Sequence, residues 1–190
     1  MGNNTNVEIE RKFLVNKEQF LAAALPAHQA DVICQGYWST DNLPAFFKNM
    51  LAMLNGRIPQ EDYNTIYRMG PQGLEMRVRQ RNDDYFVTFK SRHNIEGGGV
   101  MEFEYPLEHE PAAFLLTSTD YRLSKVRHCL PLGAFLLEVD VFDGMDLVLA
   151  EVEIPSMDTP LPSLPSWIGE EVTGQHEYMN RTLSTRSRSR

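Results

Sequence analysis

The chain is 190 residues long, the size of one globular domain, and its 42% hydrophobic and 23% charged composition excludes a mainly disordered or fibrous protein. Its net charge of −8 argues against a general nucleic-acid-binding surface, although basic residues concentrated in one cavity can still bind a polyanion. No apolar run approaches the roughly 20 residues that span a bilayer, and the first residues lack the parts of a signal peptide, so we expect a cytoplasmic protein without a membrane partner.

Most of the chain alternates apolar and polar residues with a period of two, between boundaries of Gly, Pro, Asn or Asp, and this pattern predicts strands. The predicted strands are 7–15, 32–39, 74–80, 85–91, 100–106, 123–128, 134–142 and 147–154. Polar turns at 81–84 and 142–146 predict two antiparallel hairpins. Helices are predicted at 17–25, at 110–117 and within 178–183, so the expected fold class is α+β but mainly β.

Residues 43–66 interrupt this series of strands. Phe46, Phe47, Met50, Leu51 and Leu54 have helical spacing, which predicts an inserted helix that packs on the sheet. A mobile lid, or a contact that would allow a homodimer, is the alternative for this segment. We expect one domain over 1–183, with an insertion at about 43–73 and a disordered Arg/Ser tail at 184–190 that has no apolar residue to anchor it.

Neither the cysteines nor the histidines have the spacing of a site. Cys34 and Cys129 provide no disulfide framework and no metal-binding motif, and we expect both to be packed thiols. The histidines are isolated in the sequence, and we expect none of them to be catalytic: His28, His93, His109, His128 and His176.

Charged residues recur at alternate positions in most of the predicted strands. Side chains at i and i+2 of a strand share one face, so the members of each row project together. The rows are Glu8, Glu10 and Lys12; Arg77 and Arg79; Thr88 and Lys90; Glu102 and Glu104; Lys125 and Arg127; Glu138 and Asp140; and Glu151 and Glu153. Each row alone could be the solvated face of an antiparallel sheet.

Two features favour an interior position for these rows. The opposite faces are apolar, as at Val139 and Val152, and most rows hold neighbours of the same charge, which repel one another in water. If the strands close into a barrel, the rows point into one lumen, where carboxylates can bind Mg²⁺ or Mn²⁺ and Arg and Lys can bind phosphate oxygens. Such a chamber suits phosphoryl transfer, which needs mainly positioning and charge stabilisation.

The order of these motifs resembles that of one known family. Glu8-Ile9-Glu10-Arg11-Lys12 matches the ExExK signature of the CYTH superfamily, also called the triphosphate tunnel metalloenzymes, and the later charged rows follow in that family's order. Residues 168–174, with the sequence IGEEVTG, and 178–180 also resemble bacterial members. The resemblance covers nearly the whole chain outside the tail and the insertion, where the bacterial relatives have a shorter connection.

The resemblance implies an eight-stranded antiparallel closed β-barrel, the triphosphate tunnel, with peripheral helices. It implies a metal site in which Mg²⁺ or Mn²⁺ is held mainly by Glu10, Glu151 and Glu153. The other acidic residues of the site would be Glu8, Glu138 and Asp140. The phosphates would be bound by Arg77, Arg79, Lys90, Lys125 and Arg127. Lys12 would contact the substrate near the scissile bond, so the expected catalytic residues are Lys12, Glu10 and Glu153. Residues 175–183 resemble the plug that closes one tunnel mouth in related proteins.

The start of the chain, 9–15, looks most like the bacterial inorganic triphosphatase branch of this superfamily. The expected activity is therefore metal-dependent hydrolysis of tripolyphosphate to pyrophosphate and phosphate. A class IV adenylate cyclase or a thiamine triphosphatase would use the same chamber, and a polyphosphate- or nucleotide-binding module would bind without turnover. Tyr37, Trp38, Phe46 and Phe47 could stack on a nucleobase, but core packing is the simpler interpretation.

Overall fold

The structure is a computed structural model that describes residues 7–93 and 99–186. Among these residues, the strands are β1 (Val7–Glu8), β2 (Glu10–Val15), β3 (Gln29–Tyr37), β4 (Leu74–Arg81), β5 (Asp84–Ser91), β6 (Val100–Leu107), β7 (Tyr121–Leu132), β8 (Phe135–Phe142), β9 (Val148–Glu153) and β10 (Ile168–Glu171). The helices are α1 (Lys17–Ala22), α2 (Leu43–Leu54), α3 (Gln60–Gly73), α4 (His109–Thr117) and α5 (Asn180–Arg186), with a 3₁₀ turn at His176–Tyr178. The strands form an antiparallel sheet in the order β1-β6-β5-β4-β3-β7-β8-β9-β2-β10. The mainly β, α+β class is confirmed.

Each of the predicted strands is present, but the observed strands differ from the predicted ones in two places. The first predicted strand breaks at Ile9 into β1 and β2, and β10 was not predicted. Both predicted hairpins are confirmed: Arg81 pairs with Asp84 around Asn82 at φ 53°, and Val141 pairs with Val148 across the turn between β8 and β9. Asn tolerates the left-handed conformation better than most residues, which suits the tight first turn.

The described residues divide into two compact units. The first contains 35–122, and the second contains 8–34 and 123–186. In the first unit, α2 buries Phe47, Met50, Leu51 and Leu54, and the Phe47 ring meets the Phe89 ring of β5 edge-on at 5.9 Å. The predicted inserted helix and its packing against the sheet are therefore confirmed.

The insertion nevertheless contains more than one helix, which corrects the single helical segment expected at 43–66. Helix α2 ends at Leu54, and α3 begins at Gln60, with Gly56 at φ 76° and Pro59 between them. A left-handed glycine followed by a proline cannot continue a helix, so the chain turns here. The Tyr105 hydroxyl on β6 donates to Asp62 Oδ2 of α3 at 2.6 Å, which ties the second inserted helix to the sheet of the first unit.

In the second unit, one face of β2, β7, β8 and β9 forms an apolar core. Phe13, Leu137, Val139 and Val152 are at most 3% exposed in this core. It also includes the following buried residues: Phe20, Leu130, Leu132, Val148, Ala150, Ile154 and Trp167. Helix α1 packs on this core through Phe20, and the Asn16 side chain caps the helix by accepting from the Gln19 N–H at 3.0 Å.

The C-terminal helix is longer than the sequence indicated. Helix α5 continues to Arg186, and Ser184, which is 1% exposed, donates its hydroxyl to the Arg181 carbonyl at 2.6 Å. Residues 184–186 are thus helical, because burial of Leu183 and Ser184 anchors the segment that was expected to begin a disordered tail. Residues 187–190 and the N-terminal residues 1–6 lie outside the described residues. None of the described helices is long and apolar enough to cross a membrane.

Candidate functional site

Four neighbouring strands of the second unit bring predicted site residues onto one face. Glu10 lies opposite Glu153, and Lys12 lies opposite Glu151, which in turn lies opposite Glu138. Arg127 on β7 lies opposite Asp140 on β8. Directly opposed residues of an antiparallel pair point to the same face. We call this set the acid–base face: Glu10, Lys12, Lys125, Arg127, Glu138, Asp140, Glu151 and Glu153.

The acid–base face is not a solvated surface. Lys12, Lys125, Arg127, Asp140 and Glu151 are all between 0% and 9% exposed. Charged side chains are rarely buried to this extent unless they are paired, since removing a charge from water is costly. The interpretation of these rows as an ordinary wet sheet face is therefore excluded for the second unit.

Lys12 is held between two carboxylates. Its Nζ lies 3.0 Å from Glu151 Oε1 and 3.2 Å from Glu10 Oε1. Burial by itself would lower the pKa of Lys12, but attraction by Glu151 and Glu10 outweighs it and raises the pKa above its ordinary value. Lys12 is therefore a permanent cation at neutral pH and is suited to stabilising negative charge.

Arg127 connects the carboxylates of β8 and β9. Its Nε and one terminal nitrogen donate to the two oxygens of Asp140, both at 2.7 Å, and that terminal nitrogen also donates to Glu151 Oε2 at 2.8 Å. The other terminal nitrogen donates to Glu138. Such a planar fork is what binds carboxylates, and equally phosphates, with two parallel hydrogen bonds.

Lys125 and Glu138 have pKa values shifted toward neutrality. Burial, and next repulsion by Arg127, lowers the pKa of Lys125 to about 8, although its ammonium donates to Asp140. Burial raises the pKa of Glu138 despite the attraction of Arg127, while Asp140 keeps a lowered pKa because its two basic neighbours outweigh burial. The face thus holds groups of both signs whose protonation responds to a change of charge nearby.

The two remaining predicted ligands lie at the edge of this arrangement. Glu153 is exposed at the end of β9, whereas Glu8 lies on β1, separated from the row of Glu10 and Lys12 by the break at Ile9. The expectation that Glu8 shares one continuous strand with Glu10 is therefore wrong, although both residues are half-buried.

An apolar end completes the acid–base face. Leu123 lies two residues before Lys125, and Phe142 lies two residues after Asp140, so both share this face. They form a buried cluster with Leu149, Val172 and Leu183. Leu183 belongs to α5, so the segment that resembles a plug covers one end of the acid–base face.

The first unit carries a second set of predicted substrate ligands. Arg77 lies opposite Thr88, which lies opposite Glu104, and Lys90 lies opposite Glu102. We call the set on these three strands the basic face: Arg77, Arg79, Thr88, Lys90, Glu102 and Glu104. The three predicted phosphate ligands of this unit, Arg77, Arg79 and Lys90, are therefore brought together.

Each base of this basic face has an acidic partner. Arg79 Nη2 lies 2.6 Å from both oxygens of Glu104, and Lys90 Nζ lies 3.2 Å from Glu102 Oε2. Arg77 donates to the Thr88 hydroxyl at 3.1 Å, and that hydroxyl donates to Glu104 at 2.7 Å. Burial would raise the pKa of Glu104, but Arg79, Thr88 and Arg77 together lower it. The sequence showed Glu102 and Glu104 as a row but gave them no role in the site.

Two further polar residues of β3 were missed in the sequence analysis. Tyr37 is 1% exposed; burial raises its pKa to about 12 against the effect of a hydrogen bond from Arg77, so its hydroxyl keeps its proton. Gln35 is also 1% exposed and donates to the Tyr37 hydroxyl at 3.0 Å. Their i, i+2 spacing was the available signal, but Tyr37 was interpreted with its aromatic neighbours. Trp38 and Phe46 do stack on each other at 5.0 Å, as core packing predicts.

The donor chemistry of the acid–base face fits a hard divalent cation. Glu10 and Glu153 are opposite each other, and Glu151 and Glu138 follow on the same face, so carboxylate oxygens are the available ligands. Within the described residues, no three acidic, histidine or cysteine side chains stand close enough together to hold one ion. The carboxylates instead contact Lys12 and Arg127, with which a cation would compete.

Comparison with known proteins identifies several relatives. An inorganic triphosphatase of Nitrosomonas europaea is 38% identical over 119 residues, which cover 58% of this chain and 75% of that protein. One of Acetivibrio thermocellus is 32% identical over 126 residues, which cover 62% of this chain and 79% of that protein. A crystal structure of an inorganic triphosphatase matches with a TM-score of 0.56 and 30% identity, over 93% of each chain. No family profile matches the chain.

Proposed function

The chain belongs to the inorganic triphosphatases of the CYTH superfamily, and from this premise we propose that it is a hydrolase that cleaves tripolyphosphate to pyrophosphate and phosphate. The observation that carries the proposal is the buried acid–base face around Lys12 and Arg127. A site for a highly charged, metal-bound substrate must pair bases for the phosphates with carboxylates for the cation.

We propose further that residues 1–183 form one domain in which the strands close into the eight-stranded triphosphate tunnel. Its likeness to the triphosphatase crystal structure over 93% of the chain supports this arrangement. The triphosphate oxygens would be bound by Arg77, Arg79 and Lys90 of the basic face and by Lys125 and Arg127 of the acid–base face. The plug of α5 would close one mouth.

A metal ion would be Mg²⁺ or Mn²⁺, held by Glu10, Glu151 and Glu153, with Glu8, Glu138 and Asp140 completing the acidic side. When bound, it supplies charge neutralisation of the phosphoryl oxygens and polarisation of the phosphorus. Lys12 holds its proton beside Glu10 and Glu151 and contributes a fixed positive charge near the scissile bond.

Substrate binding exchanges ionic partners within the site. Arg127 engages Asp140, Glu151 and Glu138, and a triphosphate oxygen is a competing acceptor for the same nitrogens. Arg79 and Lys90 face the same exchange with Glu104 and Glu102. The carboxylates hold the basic side chains in place before substrate arrives. Orienting those side chains on binding therefore costs little conformational entropy.

The test is a turnover assay with tripolyphosphate, ATP and thiamine triphosphate in Mg²⁺ or Mn²⁺, in which released phosphate and cyclic AMP are measured separately. Metal-dependent phosphate release, highest with tripolyphosphate, is expected. Cyclic AMP would indicate a class IV adenylate cyclase, preference for thiamine triphosphate would indicate that hydrolase, and tight binding without release would indicate a binding module.

Lys12→Ala and Glu153→Ala test the site directly. Each should lower kcat/KM for tripolyphosphate by about 100-fold or more, since each removes a charge that acts on the transition state. Lys17→Ala and Glu18→Ala are matched controls, because Lys17 pairs with the exposed Asp146 and Glu18 is exposed on α1. Full turnover by Lys12→Ala and Glu153→Ala would contradict the assignment.

We also propose that the enzyme works in the cytoplasm and forms a homodimer. The two free thiols, Cys34 and Cys129, support a reducing compartment. The inserted α3 exposes Tyr67, 66% accessible and stacked on Tyr63, which supports an oligomer contact. Light scattering of the purified chain distinguishes a dimer from a monomer.

A further inference from the structure

The segment 171–173 contacts the main chain of Lys12 directly. The Lys12 N–H donates to the Thr173 hydroxyl at 2.9 Å, and the Lys12 carbonyl accepts from the Val172 N–H at 2.7 Å. We propose that Glu171 and Thr173 are positioning residues that fix Lys12 for the reaction. This inference rests on the role given to Lys12 in the proposed function, and it assigns a purpose to the EVTG sequence at 171–174.

The contact replaces ordinary sheet pairing at this point. In an antiparallel strand the N–H and C=O of one residue point toward the same neighbour. For Lys12 that neighbour is the chain after β10, where a backbone N–H meets its carbonyl but a side-chain hydroxyl meets its N–H. The identity of residue 173 therefore decides whether the Lys12 N–H is satisfied.

A carboxylate fixes the direction of this hydroxyl. Thr173 Oγ1 donates to Glu171 Oε1 at 2.7 Å, so the hydroxyl proton is engaged and a lone pair remains for the Lys12 N–H. Arg11 Nε donates to the same carboxylate oxygen at 3.0 Å, and its terminal nitrogen donates to the other oxygen. Hydrogen bonding by Arg11 is the largest cause of the lowered pKa of Glu171, which stays an acceptor at neutral pH.

The register of β10 shows how Thr173 reaches this position. Ile168 pairs with Val15 and Glu171 with Phe13, so β10 has one residue more than β2 between the two pairs. A bulge of this kind redirects the side chains that follow it. Gly169 lies inside the irregularity, where an added Cβ would come within 3.3 Å of the Leu14 carbonyl oxygen.

The position of the Lys12 ammonium depends on this anchored main chain. Its Nζ lies within 3.2 Å of both Glu10 and Glu151, and the side chain is only 10% exposed. A shift of the β2 main chain at residue 12 would move the ammonium away from these two carboxylates. Misplacement of about 1 Å at a reacting centre is enough to cost a large part of the rate.

The test compares Thr173→Val, which removes the hydroxyl but keeps the shape, with Thr173→Ser, which keeps it. Thr173→Val should lower kcat for tripolyphosphate about tenfold with KM changed less than about twofold, because Lys12 acts mainly in the transition state. Thr173→Ser should restore most of the activity. The matched control is Thr117→Val, since the Thr117 hydroxyl is exposed and donates to the Phe114 carbonyl within α4 at 2.8 Å.

A double-mutant cycle with Lys12→Ala separates positioning from general damage. In the Lys12→Ala background, Thr173→Val should have almost no further effect on kcat, because the residue it positions is gone. An equal loss in both backgrounds, or an unchanged kcat in Thr173→Val alone, would overturn the inference.

The amide signal of Lys12 provides a readout that does not depend on activity. In ¹H–¹⁵N spectra, its proton should shift upfield in Thr173→Val and return in Thr173→Ser, since the Thr173 hydroxyl accepts this N–H. If Lys12→Ala keeps full turnover while the amide shift behaves as expected, the proposed role of Lys12 fails and the anchoring of β2 stands. An unmoved amide signal contradicts the anchoring itself.

Discussion

At the scale of single residues, Arg127 shows how the acid–base face remains folded. Its guanidinium contacts Asp140, Glu151 and Glu138, and it is only 9% exposed. A buried ion pair adds little to stability compared with an apolar replacement of the whole set, but removal of one member leaves the others uncompensated. The stability of the face therefore depends on charges being present together.

Arg127→Met should consequently destabilise the protein by about 3–5 kcal/mol at neutral pH, because three carboxylates lose their shared partner. Urea unfolding followed by fluorescence measures the change. Arg122→Met on the same strand is the matched control, since Arg122 is exposed and its replacement should cost little. The deficit of Arg127→Met should shrink at acidic pH, where the carboxylates take up protons. A deficit of the same size at both pH values would argue that lost packing, not charge, is responsible.

At the scale of elements, the strands were predictable because their burial alternates. In β4, the buried residues Leu74, Met76 and Val78 alternate with Glu75 and Arg77, which is a period-two pattern that the sequence displays directly. The charged rows were visible in the sequence as the same alternation, and the register of the strands places most of these rows opposite one another.

Other elements depend on contacts that no local pattern shows. Strand β10 has only Ile168 as an apolar residue, and its pairing with β2 across a bulge is a long-range event. The division of the insertion into α2 and α3 was signalled by Gly56 and Pro59, and the helical spacing of apolar residues, which ends at Leu54, predicted α2 alone. Thr173 meets the Lys12 N–H, and Glu171 meets Arg11, only because β10 pairs with β2. The sequence at 171–174 was therefore noticed, but its contacts could not be predicted from it.

The packing of β3 in the first unit yields a prediction for Gly36. A Cβ at this position would lie 2.3 Å from Thr119 Oγ1 and 2.6 Å from its Cγ2, and the Thr119 hydroxyl is tied to the Leu116 carbonyl at 2.7 Å. Gly36→Ala should therefore destabilise the protein by about 1–3 kcal/mol through overpacking. Thermal unfolding measures the loss of stability, and Thr119→Gly in the same chain should recover part of it.

The control for this prediction is Gly73→Ala, because the nearest atom to an added Cβ there is 3.5 Å away. Gly56→Ala is a poor control because Gly56 has a φ of 76°. Equal losses of stability in Gly36→Ala and Gly73→Ala would show that the close approach of Gly36 to Thr119 is not the cause.

At the scale of the whole molecule, the ionisable groups predict how stability changes with pH. The pKa values of Asp140, Glu151 and Glu104 are lowered in the folded protein, chiefly because attraction by Lys and Arg outweighs burial, whereas that of Glu138 is raised by burial. A lowered carboxyl pKa contributes stability that is present above the unfolded value and is lost as the pH falls through the folded value.

The free energy of unfolding should thus fall steeply as the pH drops below the ordinary values of 4.5 for Glu and 3.8 for Asp, since three carboxyls with lowered pKa outweigh the opposite effect of Glu138. His128, whose pKa is lowered by burial and then by His28, adds a smaller loss that begins as the pH falls through 6.5. Urea unfolding at a series of pH values between 8 and 3 measures both steps. Glu104→Gln should reduce the steep step, and Asp158→Asn, which changes an exposed carboxyl, should leave it unchanged. A profile that stays level to pH 3 in the unmodified protein would mean that the buried charge pairs of the two faces do not govern its stability.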